Sequence, residues 1–147
     1  MIRDLRPEDR PEWQRLYQGY QAFYGFHDRP AGFYDKAFAR LLSGEAADFR
    51  GLVHADGERL LGLVHYVFHP NLWRDDGVCY LQDLFTEPQA RGRGVARALI
   101  EAVYAAADAR GVPFVYWLTA EDNDAGRMLY DRVAQRSPFI RYQRRLG

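Results

Sequence analysis

The stretch of this chain best equipped for chemistry is Gln89-Ala90-Arg91-Gly92-Arg93-Gly94-Val95-Ala96-Arg97, which follows a strand pattern and opens a helix pattern. Two glycines permit a tight turn, and the unsatisfied amides and dipole of the helix that follows supply positive potential. Arg91, Arg93 and Arg97 can add charge-assisted bonds to phosphate oxygens. A pyrophosphate is the natural guest, although the turn taken alone reads equally as a helix start with solvated arginines. It lacks both the Gly-Lys-Ser/Thr ending of a P-loop and the glycine spacing of a dinucleotide-binding turn. His65 and His69 share one face of a predicted strand, but no carboxylate or thiol stands at a spacing that would complete a metal centre, so none is expected. Cys79, the single cysteine, reads as a small buried hydrophobe.

These groups need elements to position them. Residues 2 to 6 alternate like a short strand, and Pro7 to Pro11 resemble an acidic, proline-containing first helical turn. In that helix Trp13, Leu16, Tyr17, Tyr20, Phe23 and Tyr24 recur at spacings of three and four, forming an aromatic face. A second helix is predicted over Ala31 to Leu42. Strands over 49–55 and 59–68 flank Asp56-Gly57, a strong hairpin turn. Asn71 to Gly77 reads as a polar loop, Val78 to Thr86 as a buried strand, and Gly94 to Ala109 as a helix that Gly111 stops. A strand over Pro113 to Thr119, a helix over Asp124 to Val133 and a final strand over Phe139 to Arg144 complete an α/β order around a mixed sheet.

Composition bounds the partners. The chain has 147 residues, 20 Lys plus Arg against 20 Asp plus Glu, and one cysteine. That length predicts one domain over 1–147. Balanced charge argues against nucleic acid and anionic membrane as partners. The charged start and the lack of a long apolar run point to a soluble, cytoplasmic protein. The zero is uneven, with 10 acids and 6 bases in residues 75 to 135 but 4 bases and no acid from 136 to 147. Of the 22 aromatic residues, 9 lie between Trp13 and Phe38.

Arg91-x-x-Gly94-x-Ala96 resembles the coenzyme A pyrophosphate loop, Arg/Gln-x-x-Gly-x-Gly/Ala, of the GNAT superfamily of N-acetyltransferases. Tyr80-Leu81-Gln82-Asp83-Leu84-Phe85-Thr86 is similar to the strand that precedes that loop. Ala120-Glu121-Asp122-Asn123, with Tyr130 seven residues on, is similar to the family's later asparagine and tyrosine. The similarity spans nearly the whole chain and is strongest toward small polyamine, diamine and amino-acid acetyltransferases, including a yeast branch described as histone, polyamine or D-amino-acid acetyltransferases.

The resemblance implies an α/β (α+β) GNAT fold with a mixed central sheet of about six to seven strands and about four helices. It implies acetyl-coenzyme A as co-substrate, no metal, and direct transfer of the acetyl group to a primary amine. A polyamine or other small amine leads as acceptor, with an amino acid or a protein lysine as alternatives. A non-catalytic acyl-coenzyme A binding module is the competing class. Cofactor contacts fall on Leu84, Phe85 and Thr86, on Arg91, Gly92, Arg93, Gly94, Val95, Ala96 and Arg97, and on Asn123. Tyr130 matches the acid that protonates the departing thiolate, for which a phenol suits. Polyamine acetyltransferases commonly carry a glutamate where this chain has Gln82, and an amide cannot act as a base. Asp83 is then the candidate base or amine-binding group, with Gln82 and Tyr24 as further acceptor contacts. A bulge in the strand would be needed to bring Asp83 and Gln82 to one side. Homodimerisation is expected from relatives that pair through sheet edges and C-terminal strands.

Overall fold

Runs of buried apolar residues between Arg50 and Thr86 build the sheet on which the helices of the first unit are mounted. The computed structural model describes all residues from Met1 to Gly147 and divides into two units, Met1–Trp117 and Leu118–Gly147. In the first unit, β1 (Ile2–Asp4), β2 (Arg50–Asp56), β3 (Arg59–Asn71), β4 (Arg74–Thr86) and β5 (Val115–Tyr116) lie side by side in sequence order. Every pair is antiparallel except β4 and β5, whose parallel pairing needs a crossover, and α3 (Val95–Arg110) supplies it. The mixed sheet has five strands, fewer than the six to seven expected. The predicted β2–β3 hairpin is present, but Asp56 pairs with Arg59, so its two-residue turn is Gly57-Glu58, one residue later than expected.

Residues of β3 serve opposite faces, and an extra, unpaired residue at Leu61 brings Leu60 and Leu63 to the same one. Leu60 and Leu63 join Trp13, Leu16 and Tyr17 of α1 (Arg10–Phe23) and Phe38 of α2 (Phe33–Leu41) in one buried cluster. On the other face α3 buries Val95, Leu99, Ile100, Val103 and Ala107. Its approach depends on Gly62, where an added Cβ would lie 2.7 Å from Val95 Cγ1 and 3.1 Å from Leu99 Cδ1. Full burial of such side chains contributes about 1.5–3 kcal/mol each. Glu87, 3% exposed, pairs with Arg15 at 3.0 Å and Arg59 at 2.9 Å and so ties α1 to the end of β4 and the start of β3.

Three expectations are corrected. Asn71 to Gly77 is no loop: β3 and β4 run on to a two-residue turn at Leu72-Trp73, with Asn71 opposite Arg74. The ribbon is solvated on both faces, so its polar side chains hide a hydrogen-bonded backbone. The strand over Pro113 to Thr119 shrinks to Val115–Tyr116, flanked by a proline that has no N–H to give. Phe139 to Arg144 forms no strand; the second unit contains α4 (Asp124–Val133) and no other strand to pair with. No helix is long and apolar enough to cross a membrane.

Candidate active site

β4 carries the site because it is irregular. His65 faces Asp83 and Tyr66 faces Leu81 across the β3–β4 ladder, which leaves Gln82 as an extra, unpaired residue. This is the bulge that the sequence required to bring both side chains into play. Gln82 is exposed, and its amide donates to Asp83 Oδ2 at 3.4 Å, whereas Asp83 is only 7% exposed. Beneath α1, Oδ2 also accepts from the Tyr17 hydroxyl at 3.1 Å and pairs with His65 Nδ1 at 2.8 Å. Trp13 Nε1 donates to His65 Nε2 at 3.0 Å. Indole N–H can only donate, so Nε2 is the acceptor and the ring's proton sits on Nδ1, aimed at Asp83. Asp83 is therefore held by three neutral donors. Burial, reinforced by the Asp83 charge and its hydrogen bond, pushes the Tyr17 phenol well above its ordinary range.

In the sequence Trp13 and Tyr17 show only as part of an aromatic helix face and His65 only as a strand histidine. Their signal is the register that sets His65 against Asp83, and the bulge conceals it from periodicity.

Beyond the bulge, β4 has a free edge. Its ladder with β5 comprises only Cys79 with Val115 and Tyr80 with Tyr116, so Leu84, Phe85 and Thr86 are bonded to β3 on one side and to no strand on the other. Those are the positions expected to meet pantetheine, and Thr86 Oγ1 there is buried without a hydrogen-bond partner. The glycine turn comes next. Gly92 and Gly94 have φ of 80° and 77°, a conformation that side chains rarely adopt, and a Cβ at either would meet nothing within 4 Å. Gly94 caps α3 without any side-chain bond, so the helix start faces open space. Arg91 folds back, its Nε donating to Thr86 O at 3.4 Å and its guanidinium standing 5.9 Å from the Phe85 ring. Arg93 is exposed at the turn. Val95 is buried against the sheet and Ala96 half-buried, which leaves their backbone to do any binding. Arg97 turns away to pair with Glu101 at 2.9 Å. An orphaned hydroxyl, an open turn and an uncapped helix start all fit a pantetheine pyrophosphate.

Tyr24 follows α1 and is half-exposed; its ring lies 5.2 Å from Tyr20, whose ring lies 5.7 Å from Phe85. The structure thus brings Tyr24 to the same end of β4. Cys79 is fully buried, which pushes its thiol up to about 11 and makes it inert. His69 bonds Pro70 O and the Tyr116 hydroxyl.

In the second unit, Asn123 caps α4: its Oδ1 accepts from Gly126 N at 3.3 Å and its Nδ2 donates to Thr119 Oγ1 at 2.9 Å. Tyr130 is half-buried midway along α4.

Residues 10–134 match the Acetyltransferase (GNAT) family. The chain belongs to that family. As a GNAT N-acetyltransferase it is 33% identical over 146 residues to the D-amino-acid N-acetyltransferase HPA3 of Saccharomyces cerevisiae, covering 98% of this chain and 89% of the relative. Among solved structures it is similar to a ribosomal-protein-alanine N-acetyltransferase from Brucella melitensis biovar Abortus, with TM-score 0.79, 23% identity and 99% of each chain covered. It is also similar to AAC(6')-Iy in complex with a coenzyme A bisubstrate analogue, with TM-score 0.80, 20% identity and 99% and 98% coverage. These last two likenesses speak for the fold.

Proposed function

We propose that this GNAT acetyltransferase uses acetyl-coenzyme A to acetylate the amine of a free amino acid, with Asp83 binding that amine and taking its proton. The observation that carries the reading is the environment of Asp83: a buried carboxylate whose partners, Gln82, Tyr17 and His65, are all neutral donors. A buried charge without a counter-ion is costly, and an ammonium group arriving as substrate completes the pair. None of those neighbours is acidic, which favours an acceptor with one ammonium group over a polyamine. The yeast relative, named for D-amino acids, supports the same class.

Acetyl-coenzyme A supplies an activated acetyl thioester. Around it the chain's own groups divide the work. The turn from Arg91 to Ala96 and the start of α3 hold the pyrophosphate, with Arg97 free to join by leaving Glu101. The open edge at Leu84, Phe85 and Thr86 aligns the pantetheine arm, and a fixed amide there stabilises the charge that develops on the carbonyl oxygen. As the nitrogen–carbon bond forms and the carbon–sulfur bond breaks, Asp83 accepts the amine proton and Tyr130 donates one to the thiolate. Asn123 contributes a cofactor contact beside its capping role. The family match runs across Trp117, which supports treating both units as one acetyltransferase domain.

The test is free thiol release from acetyl-coenzyme A over a panel of D- and L-amino acids, polyamines and a lysine peptide. Release above hydrolysis with the amino acids is expected. Release with polyamines alone would refute the acceptor, and cofactor binding without release from any amine would favour a non-catalytic module. Gly94→Asp, which sets a charge against the pyrophosphate, should weaken coenzyme A binding at least tenfold; unchanged affinity would remove the turn from the cofactor site.

A further inference from the structure

Between α1 and α2 the chain runs without regular structure through Tyr24 to Gly32, and it places one cation in an unusual setting. The Arg29 guanidinium carbon lies 4.5 Å from the centre of the Phe33 ring and 5.5 Å from that of Phe26. Stacking of this kind fixes the orientation of the planar fork. Arg29 Nε is buried and has no hydrogen-bond partner. Asp28 is adjacent in sequence, yet Arg29 forms no ion pair. A buried donor left unmade costs about 1–3 kcal/mol, and such groups ask for an explanation.

The position of Arg29 points to what its other N–H groups can do. The Phe33 ring that carries the guanidinium stacks 6.3 Å from Tyr17, and the Tyr17 hydroxyl donates to Asp83 Oδ2 at 3.1 Å. The positive charge of Arg29 reaches the Tyr17 and Tyr34 phenols, opposing the rise that burial gives them. An anion and a cation, neither satisfied by the other, thus stand on the two rings of the Tyr17–Phe33 pair.

We propose that Arg29 is the carboxylate receptor of the acceptor site, so that an amino acid is bound at both ends, its ammonium by Asp83 and its carboxylate by Arg29. The inference rests on the amino-acid reading above and adds the residue that enforces it. A guanidinium matches a carboxylate with two parallel bonds and supplies the acceptor that its fork lacks within the chain. It also repels a polycation, so the same residue selects for amino acids and against polyamines. Nε is the part of that fork closed to solvent, and the terminal N–H groups are the donors the substrate meets.

The experiment pairs an amino acid with its carboxamide, which differ only at the carboxylate. For the native enzyme kcat/KM should favour the acid about ten- to a hundredfold, the span of a hydrogen bond to a charged group. In Arg29→Gln that ratio should collapse toward one, chiefly through KM for the acid, and Arg29→Lys should restore part of it. A native ratio near one, or a ratio that Arg29→Gln leaves unchanged, would overturn the proposal even though amino acids are acetylated. A second arm needs no turnover: calorimetric titration of coenzyme A-saturated protein with an N-acetyl amino acid should show at least tenfold weaker binding to Arg29→Gln. Should only simple amines prove to be acceptors, the amino-acid reading fails and this arm still judges Arg29, because equal binding to both proteins would refute it. Melting temperatures of the variants confirm that the fold is intact.

Discussion

Two carboxylates lie four residues apart at the end of β4, both buried, and they are treated in opposite ways. Glu87, 3% exposed, is clasped by the guanidinium groups of Arg15 and Arg59. Asp83, 7% exposed, is held only by neutral groups: the Tyr17 hydroxyl, the Gln82 amide and a His65 ring whose proton Trp13 confines to the Asp83 side. One charge is neutralised within the chain and serves the fold. The other is oriented but not neutralised, and on the function proposed above a cationic amine completes it. Both are buried carboxylates; the charge of the partners is what differs.

That contrast can be broken by experiment. The largest effect is expected for Asp83→Asn, which keeps the shape and removes the charge: kcat/KM for the acceptor should fall about ten- to a hundredfold, most steeply below the pKa of the acceptor amine, with a small change in melting temperature. A pH profile parallel to the native one would remove Asp83 from proton transfer. Glu87→Gln should do the reverse. Its arginine partners are largely solvated, so the loss is about 1–2 kcal/mol, or about 3–6 °C in melting temperature, while acetylation stays within about threefold.

Acid should erase that difference. Burial raises the Glu87 carboxyl, but the bonds from Arg59 and Arg15 outweigh it and hold the group below its ordinary value of 4.5. Its stabilisation is thus complete above about pH 4.5 and fades as pH drops through the lower, folded-state value. Melting curves of the native protein and Glu87→Gln should stay apart at pH 6–8 and converge in acid; a constant gap would contradict the ion-pair account. The smallest effect belongs to Tyr17→Phe, which deletes one neutral donor to Asp83 and should raise the acceptor KM about threefold to fivefold. A change as large as that of Asp83→Asn would mean that the hydroxyl itself does chemistry.

Much of this was legible beforehand where local rules suffice. Asp56-Gly57 marks its hairpin, the glycine turn before Val95 marks its helix, and Gly111 marks where that helix ends. Asp83 stands out in the sequence because Gln82 cannot act as a base, and the bulge needed to bring the two to one side is present. What escaped depends on distant parts of the chain. His65 became a partner of Asp83 only through a cross-strand register, and Arg29 gained significance only once Phe26 and Phe33 closed around it. The aromatic face of α1 buries Trp13 in the core, yet its indole N–H also sets a histidine tautomer, a role no spacing rule encodes. The strand missing at Phe139 to Arg144 illustrates the converse. Alternation states a capacity for pairing, and a ladder forms only where a partner strand lies alongside.

The most direct test of the central claim is equilibrium binding of an amino acid to coenzyme A-saturated protein, native against Asp83→Asn and Glu87→Gln. The account predicts at least tenfold weaker binding for Asp83→Asn and native affinity for Glu87→Gln. Equal affinity in all three proteins, or a loss confined to Glu87→Gln, would contradict it.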